Sequence, residues 1–89
     1  GWNVSINPHT SLTAINMAVS IQVLASIENS GYFEGDVTEF NPFRDEMGMS
    51  PFVLDKNGFV EPLNKVGTGI EIDEKFLSKY PLIDGPCYV

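Results

Sequence analysis

Basic side chains are scarce in this sequence. Its 89 residues hold five Lys and Arg against twelve Asp and Glu, which gives a formal net charge of −7. The five basic residues are spread along the chain without forming a cluster: Arg44, Lys56, Lys65, Lys75 and Lys79. Nucleic acids and anionic lipid surfaces are bound through clustered Lys and Arg. We therefore expect neither nucleic acid nor membrane among the partners of this protein.

Cysteine and long apolar runs are also scarce. The single cysteine, Cys87, excludes a disulfide within the chain, which suits a reducing cytoplasm. The longest apolar-rich stretch, residues 12–27, is interrupted by Asn16, Ser20 and Gln22, whereas a membrane-spanning helix needs about 20 predominantly apolar residues. The start of the sequence lacks the charged and apolar segments of a signal peptide. These features predict a cytoplasmic protein.

The first third of the sequence predicts a strand followed by a long helix. Residues 2–7 alternate apolar and polar side chains, which is typical of a short strand. Pro8 ends this strand, and Thr10 or Ser11 is predicted to cap the helix over residues 12–27. That helix carries eleven apolar residues, more than one buried stripe requires. We expect it to be covered on most sides by neighbours that so short a chain does not supply.

Short elements joined by turns are predicted for the remainder. Four segments have the pattern of short strands: residues 32–34, 52–54, 59–61 and 70–72. The second and third are predicted to pair as a hairpin around Asn57-Gly58. Residues 35–50 are acidic and rich in turn formers, which indicates a long loop. Asp73 is predicted to cap a helix of one to two turns that ends at Lys79 or Tyr80.

These segments, taken in order, resemble the enolase superfamily. Pro8-His9-Thr10-Ser11-Leu12, the long helix and Tyr32-Phe33-Glu34 look like the final βα unit of that superfamily. Within it, the likeness is to the mandelate racemase subgroup and its acid-sugar dehydratases of the galactonate dehydratase type. Three later segments agree and follow in the family's order: Asn41-Pro42-Phe43-Arg44, Asn57-Gly58-Phe59-Val60-Glu61-Pro62 and Gly67-Thr68-Gly69-Ile70-Glu71-Ile72-Asp73.

The resemblance implies an α/β fold, namely the C-terminal fragment of a (β/α)8 TIM-type barrel. Residues 1–50 would form its last βα units, as strand, helix and strand, and residues 51–89 a hairpin and tail that pack on a capping domain. His9 would follow the seventh strand and Glu34 would end the eighth, at the rim where the active sites of such barrels lie. The implied partners are the rest of the barrel, the capping domain and further copies in a homo-oligomer.

The resemblance also implies a reaction. His9 would be the general acid or base, and Glu34 the partner of the substrate carboxylate, in α-proton abstraction from a hydroxy acid or acid sugar. Imidazole suits proton transfer because its ordinary pKa lies near neutral pH. In such enzymes Mg²⁺ stabilises the enediolate, and the family's acidic metal ligands and lysines lie upstream of this sequence. We therefore expect the chain alone to bind no Mg²⁺ and to be inactive.

Plainer interpretations stand beside these. A lone histidine next to proline at a helix start is more often a surface or capping residue than a catalytic one. A glutamate at a strand end, such as Glu34, is ordinarily solvated or ion-paired. The acidic side chains of the long loop lack the spacing of a calcium loop, so a solvated loop is favoured over a metal site there: Asp36, Glu39, Asp45 and Glu46.

A second class of function follows from the wide apolar surface of the predicted helix. The chain would be a standalone, non-catalytic module that buries the helix by self-association or by docking on a partner. In that case a charge introduced at Ile21 is predicted to disrupt the assembly.

Overall fold

The computed structural model describes residues 2–86, and the end of the predicted C-terminal tail, including Cys87, lies outside the described residues. The regular elements of the described residues are one long helix, two single-turn helices and a hairpin. In chain order they are α1 (Ala14–Ser26), α2 (Pro42–Asp45), β1 (Phe52–Leu54), β2 (Val60–Pro62) and α3 (Glu74–Leu77). Within residues 2–86, no helix has the length and apolarity that crossing a membrane requires.

Helix α1 begins two residues later than predicted and has a different cap. Thr13 is the capping residue, and its hydroxyl accepts a hydrogen bond from the Asn16 amide at 3.2 Å. Thr10 was predicted to cap the helix, but its hydroxyl instead donates to the carbonyl of Glu34. The backbone carbonyl of Ser11 accepts from the side chain of Asn16 at 3.0 Å. The predicted caps are therefore wrong because both residues belong to the turn that precedes the helix.

The strands predicted on either side of α1 do not form a ladder. A single parallel bridge joins Ile6 to Ser30. The amide of Ile6 donates to the carbonyl of Asn29 at 3.0 Å, and the amide of Gly31 donates to the carbonyl of Ile6 at 2.9 Å. A strand extends only where a partner backbone runs beside it, and the described residues supply that partner at this one bridge. The two segments are parallel, as expected, but they are not strands in this chain.

The segment before α3 also forms one bridge in place of a strand. Ile72 bridges Gly48 in antiparallel fashion. Asp73 caps α3 as predicted, since its carboxylate accepts from the amides of Lys75 at 2.9 Å and Phe76 at 3.2 Å. The helix ends at Leu77, earlier than predicted, and the next residues continue as turns.

The hairpin is confirmed, with its second strand one residue later than predicted. β1 and β2 are antiparallel, and Val53 lies opposite Glu61. At the turn, the carboxylate of Asp55 accepts from the amides of Asn57 at 2.7 Å and Phe59 at 2.9 Å. These bonds lower the pKa of Asp55, and the bond from the Phe59 amide has the largest effect. Gly58 has a φ of +86°, a conformation that glycine adopts without strain.

One face of α1 packs on the rest of the chain and another is exposed. The buried apolar residues of the helix are Ala14, Met17, Ala18, Ile21 and Leu24. Ala14 joins the core around Met47 and Phe76. Outside this face, three apolar residues spaced four apart are between 40% and 47% exposed: Ile15, Val19 and Val23. The helix is apolar beyond the surface that the described residues cover, as the sequence predicts. Ile21, predicted as an association residue, lies in the core instead.

Candidate functional site

The structure brings the two predicted site residues into direct contact. His9 Nδ1 lies 2.7 Å from Glu34 Oε1, although the residues are 25 positions apart. His9 precedes α1 and Glu34 follows it. The segment after the helix lies parallel to the segment before it, and this brings Glu34 beside His9. An ionised carboxylate can only accept a hydrogen bond. With Glu34 ionised, His9 Nδ1–H is therefore the donor in this contact and Glu34 Oε1 the acceptor.

Side chains hold the segments of His9 and Glu34 side by side. The Thr10 hydroxyl donates to the carbonyl of Glu34, and the amide of Tyr32 donates to Asn7 Oδ1 at 2.5 Å. A Cβ atom at Gly31 would clash with Asn7 Oδ1, so any other residue there would displace the Asn7 side chain from the Tyr32 amide. These contacts fix which residue of one segment lies beside which residue of the other.

The loop that follows Glu34 is organised by Asp36. Its carboxylate accepts from the amide of Thr38 at 2.9 Å, from the hydroxyl of Thr38 at 2.5 Å and from the side chain of Asn41 at 2.7 Å. These bonds lower the pKa of Asp36 to about 2, and the bond from the Thr38 hydroxyl has the largest effect. The positive charge of Arg44 acts in the same direction. The expectation of a solvated acidic loop is therefore wrong for Asp36, whose side chain is 7% exposed.

Stability at low pH should depend on Asp36. Because folding lowers its pKa from 3.8 to about 2, its contribution is complete above pH 3.8 and is lost as the pH falls toward 2. We expect Asp36→Asn to flatten the fall in melting temperature over this interval, measured by circular dichroism. Glu39→Gln removes one charge at an exposed position of the same loop and is the control. Equal pH profiles for Asp36→Asn and the parent chain would contradict the assignment.

Arg44, the cation of this loop, is already paired. Its guanidinium donates from Nε and Nη2 to the two carboxylate oxygens of Asp45, each at 2.6 Å. This bidentate contact raises the pKa of Arg44 and lowers that of Asp45. Elsewhere Lys65 pairs with Glu71 at 2.7 Å, which lowers the pKa of Glu71. Arg44 is therefore bound to its own loop rather than free to bind an anion.

The His9–Glu34 pair lies on the surface of the described residues. The side chains of His9 and Glu34 are 77% and 57% exposed. A cleft of about 570 Å³ lies between the end of α1 and the hairpin, but other residues line it. Binding sites for small molecules usually enclose most of the ligand surface. Among the described residues, the exposed pair is therefore not enclosed as such a site would be.

The sequence of this chain matches a known family over most of its length. Residues 1–76 match the family described as Enolase C-terminal domain-like. This chain belongs to the enolase superfamily. Its fold is the α/β fold of that C-terminal domain family, with a small sheet. No curated protein matches the sequence.

A solved structure agrees with this membership. This chain is similar to the crystal structure of a member of the enolase superfamily from Polaromonas sp. JS666, with 49% sequence identity and a TM-score of 0.81. The match covers 99% of this chain and 23% of the other. This enolase-superfamily chain therefore spans about a quarter of the length of that relative.

Sequence reasoning missed the roles of Asn41 and Arg44 in this enolase-superfamily chain. Residues 35–50 were predicted to form a loop, but Asn41 caps α2, its side chain accepting from the Arg44 amide at 3.2 Å. An asparagine followed by proline is a recognised helix-start signal, and it would have located α2. The bond from Asn41 to the carbonyl of Leu12, 29 residues away, has no such local signal.

Proposed function

We propose that this chain supplies part of the active site of a magnesium-dependent enzyme of the mandelate racemase type. The enzyme would remove the proton from the carbon next to a carboxylate of a hydroxy acid or acid sugar, giving dehydration or epimerisation. The observation that carries the proposal is the contact between His9 Nδ1 and Glu34 Oε1 at 2.7 Å, in a chain that belongs to the enolase superfamily.

In this proposal His9 transfers the proton through Nε2. Glu34 holds Nδ1–H, which leaves the lone pair of Nε2 to accept the α-proton while the C–H electrons pass into the enediolate. In a dehydration, a protonated Nε2 can instead give its proton to the departing hydroxyl, which leaves as water. Acid–base catalysis by a positioned side chain contributes about 10²–10⁴-fold to the rate.

Glu34 would have two tasks at the same site. Its Oε1 accepts from the imidazole. Its Oε2 would take up a proton from solvent as the anionic substrate binds, and would donate it in a hydrogen bond to the substrate carboxylate. Negative charge grows on that carboxylate as the enediolate forms, and hydrogen bonds aimed at developing charge lower the barrier. The exposure of the pair supports this arrangement, since both side chains are accessible.

Magnesium would have to be held outside this chain. Enolase-superfamily enzymes use Mg²⁺ to stabilise the dianionic intermediate. Within residues 2–86, however, no three His, Cys, Asp or Glu side chains converge on one point, and Asp36 and Asp45 face Arg44. The described residues do not fit a metal site. We therefore propose that the rest of a barrel and a capping domain complete the site, and that this chain alone is inactive.

Isotope exchange tests the proposed function. The intact protein that carries this sequence, with Mg²⁺ added, would be incubated in D₂O with a panel of hydroxy acids and sugar acids. We expect deuterium at C2 of at least one acid, or its conversion to a 2-oxo-3-deoxy acid, detected by mass spectrometry. Chelation of the metal should abolish the reaction. If folded, magnesium-replete protein exchanges none of these acids, the proposed function is wrong.

The exposed apolar surface of α1 supports a second candidate function. Ile15, Val19 and Val23 form a stripe along the helix and are each 40% or more exposed. A stripe of this kind is a common contact surface between helices. The chain would then be a non-catalytic module that pairs with a second copy through this stripe, hereafter the outer stripe.

Self-association through the outer stripe predicts the effect of a charge at Val19. We expect Val19→Glu to weaken association by at least about tenfold, since it removes an apolar contact and buries a charge. Val37→Glu is the control, because it introduces the same charge at an exposed valine outside α1. Sedimentation equilibrium measures both. An unchanged assembly in Val19→Glu would exclude the outer stripe as the interface.

A further inference from the structure

The turn between His9 and α1 has an unusual backbone. Leu12 lies three residues after His9 and has a φ of +74°, a region that residues with a branched side chain rarely adopt. This conformation redirects the chain from the His9 segment into the helix. Such a residue persists where its surroundings hold it. The carbonyl of Leu12 accepts a hydrogen bond from Asn41 Nδ2 at 3.0 Å.

Asn41 joins this turn to the loop that follows Glu34. The same Nδ2 donates to Asp36 Oδ2 at 2.7 Å, and Asp36 lies two residues after Glu34. Asn41 Oδ1 accepts from the amide of Arg44 at 3.2 Å. One side chain therefore contacts the turn after His9, the loop after Glu34 and the first turn of α2.

Arg44 closes the same loop from its other side. Its Nη1 donates to the carbonyl of Asp36 at 3.0 Å and to the carbonyl of Thr38 at 2.7 Å. The loop is therefore held by its own backbone carbonyls as well as by the Asp36 carboxylate. Asn41 consequently ties the His9 turn to an ordered segment.

We propose that Asn41 is a positioning residue that fixes the separation of His9 and Glu34. The inference deepens the proposed function and rests on it for its catalytic meaning. An exposed ion pair contributes little stability of its own, so the contact between the two exposed side chains depends on where their backbones are held. Asn41 bonds to the chain after both residues, at Leu12 and at Asp36. It adds to the direct bond that Thr10 makes to the carbonyl of Glu34.

Nuclear magnetic resonance of the His9 ring tests this role. Asn41→Ser keeps an oxygen that can cap α2 but is too short to retain the bonds to Leu12 and Asp36. In this variant we expect the Nδ1 signal of His9 to shift toward that of a ring nitrogen without a proton. We also expect the nuclear Overhauser effect between the His9 ring and Glu34 to be lost. His9 is the only histidine in this sequence, and His9→Asn identifies its signals in the intact protein.

A matched change at another helix cap is the control. Asp73→Ser alters the cap of α3 and should leave the His9 ring signals unchanged. Asn41→Asp, which keeps the size and the capping oxygen of asparagine, replaces Asn41→Ser if that variant does not fold. A folded Asn41 variant with unchanged His9 signals overturns the proposal, and a change of equal size in Asp73→Ser does so too.

The ring signals need no substrate, so they separate this inference from the proposed function. Protein that exchanges no acid but shows the shifted ring would refute the function and retain the positioning role. In protein that does exchange an acid, Asn41→Ser should lower kcat with KM little changed, whereas Asp73→Ser should leave both unchanged. Normal kcat in folded Asn41→Ser would count against positioning.

Discussion

His9→Asn should abolish most α-proton exchange in the intact protein, with a fall in kcat of about 10²–10⁴-fold. Asparagine can still donate a hydrogen bond to Glu34, but it cannot take up a proton. The melting temperature should hardly change, because His9 is exposed and its side chain has one hydrogen bond among the described residues. Mass spectrometry of deuterium uptake measures the rate, and circular dichroism measures the stability.

Two companion variants define what a loss of exchange means. Glu34→Gln keeps a hydrogen-bonding side chain beside the imidazole but removes the carboxylate, so we expect a smaller loss than in His9→Asn. Glu39→Gln removes a carboxylate from the same region and should retain full exchange. Exchange at the normal rate in His9→Asn would show that another residue moves the proton, and the assignment of His9 would be wrong.

Ile21→Ala should destabilise the fold by about 2–5 kcal/mol, the usual cost of truncating a large apolar side chain in a core. Ile21 is 2% exposed and lies on the buried face of α1. A small domain has a total stability of about 5–15 kcal/mol, so this one change should remove a large part of it. Urea unfolding followed by circular dichroism measures the difference.

Val19→Ala is the matched control for this change. Val19 is two positions before Ile21 on the same helix but belongs to the outer stripe. Its truncation leaves no cavity in the described core, so the loss should be under about 1 kcal/mol. Similar losses at both positions would mean that the outer stripe is covered in the protein. The buried face would then not be the main source of stability.

The elements predicted correctly are those specified by residues within the element itself. Asn57-Gly58 specifies the hairpin because its glycine adopts a positive φ. Asp73 predicts α3 because it is the residue that caps the helix. The strand predicted over residues 2–7 fails because strand formation depends on a partner backbone, and the described residues provide only the bridge from Ile6 to Ser30. A pattern within one segment carries no information about that partner.

The site divides in the same way. A helix between His9 and Glu34, together with the resemblance, is enough to predict that they meet, although their chemical roles stay predictions. Asp36 was misjudged because residues 35–50 are rich in acidic residues and turn formers. Composition does not reveal that Asn41 and Thr38 bind the Asp36 carboxylate. The positive φ of Leu12 has no sequence signal, since leucine seldom adopts it.

The length of α1 also determines how much flexible chain must be ordered before His9 contacts Glu34. Twenty-five positions separate His9 from Glu34, and thirteen of the residues between them belong to α1. Helices form within about a microsecond, and the entropy of closing a loop grows with its flexible length. Once α1 has formed, only two short flexible segments remain to be ordered. Closing the pair then requires the ordering of these two segments and not of the whole connection between His9 and Glu34.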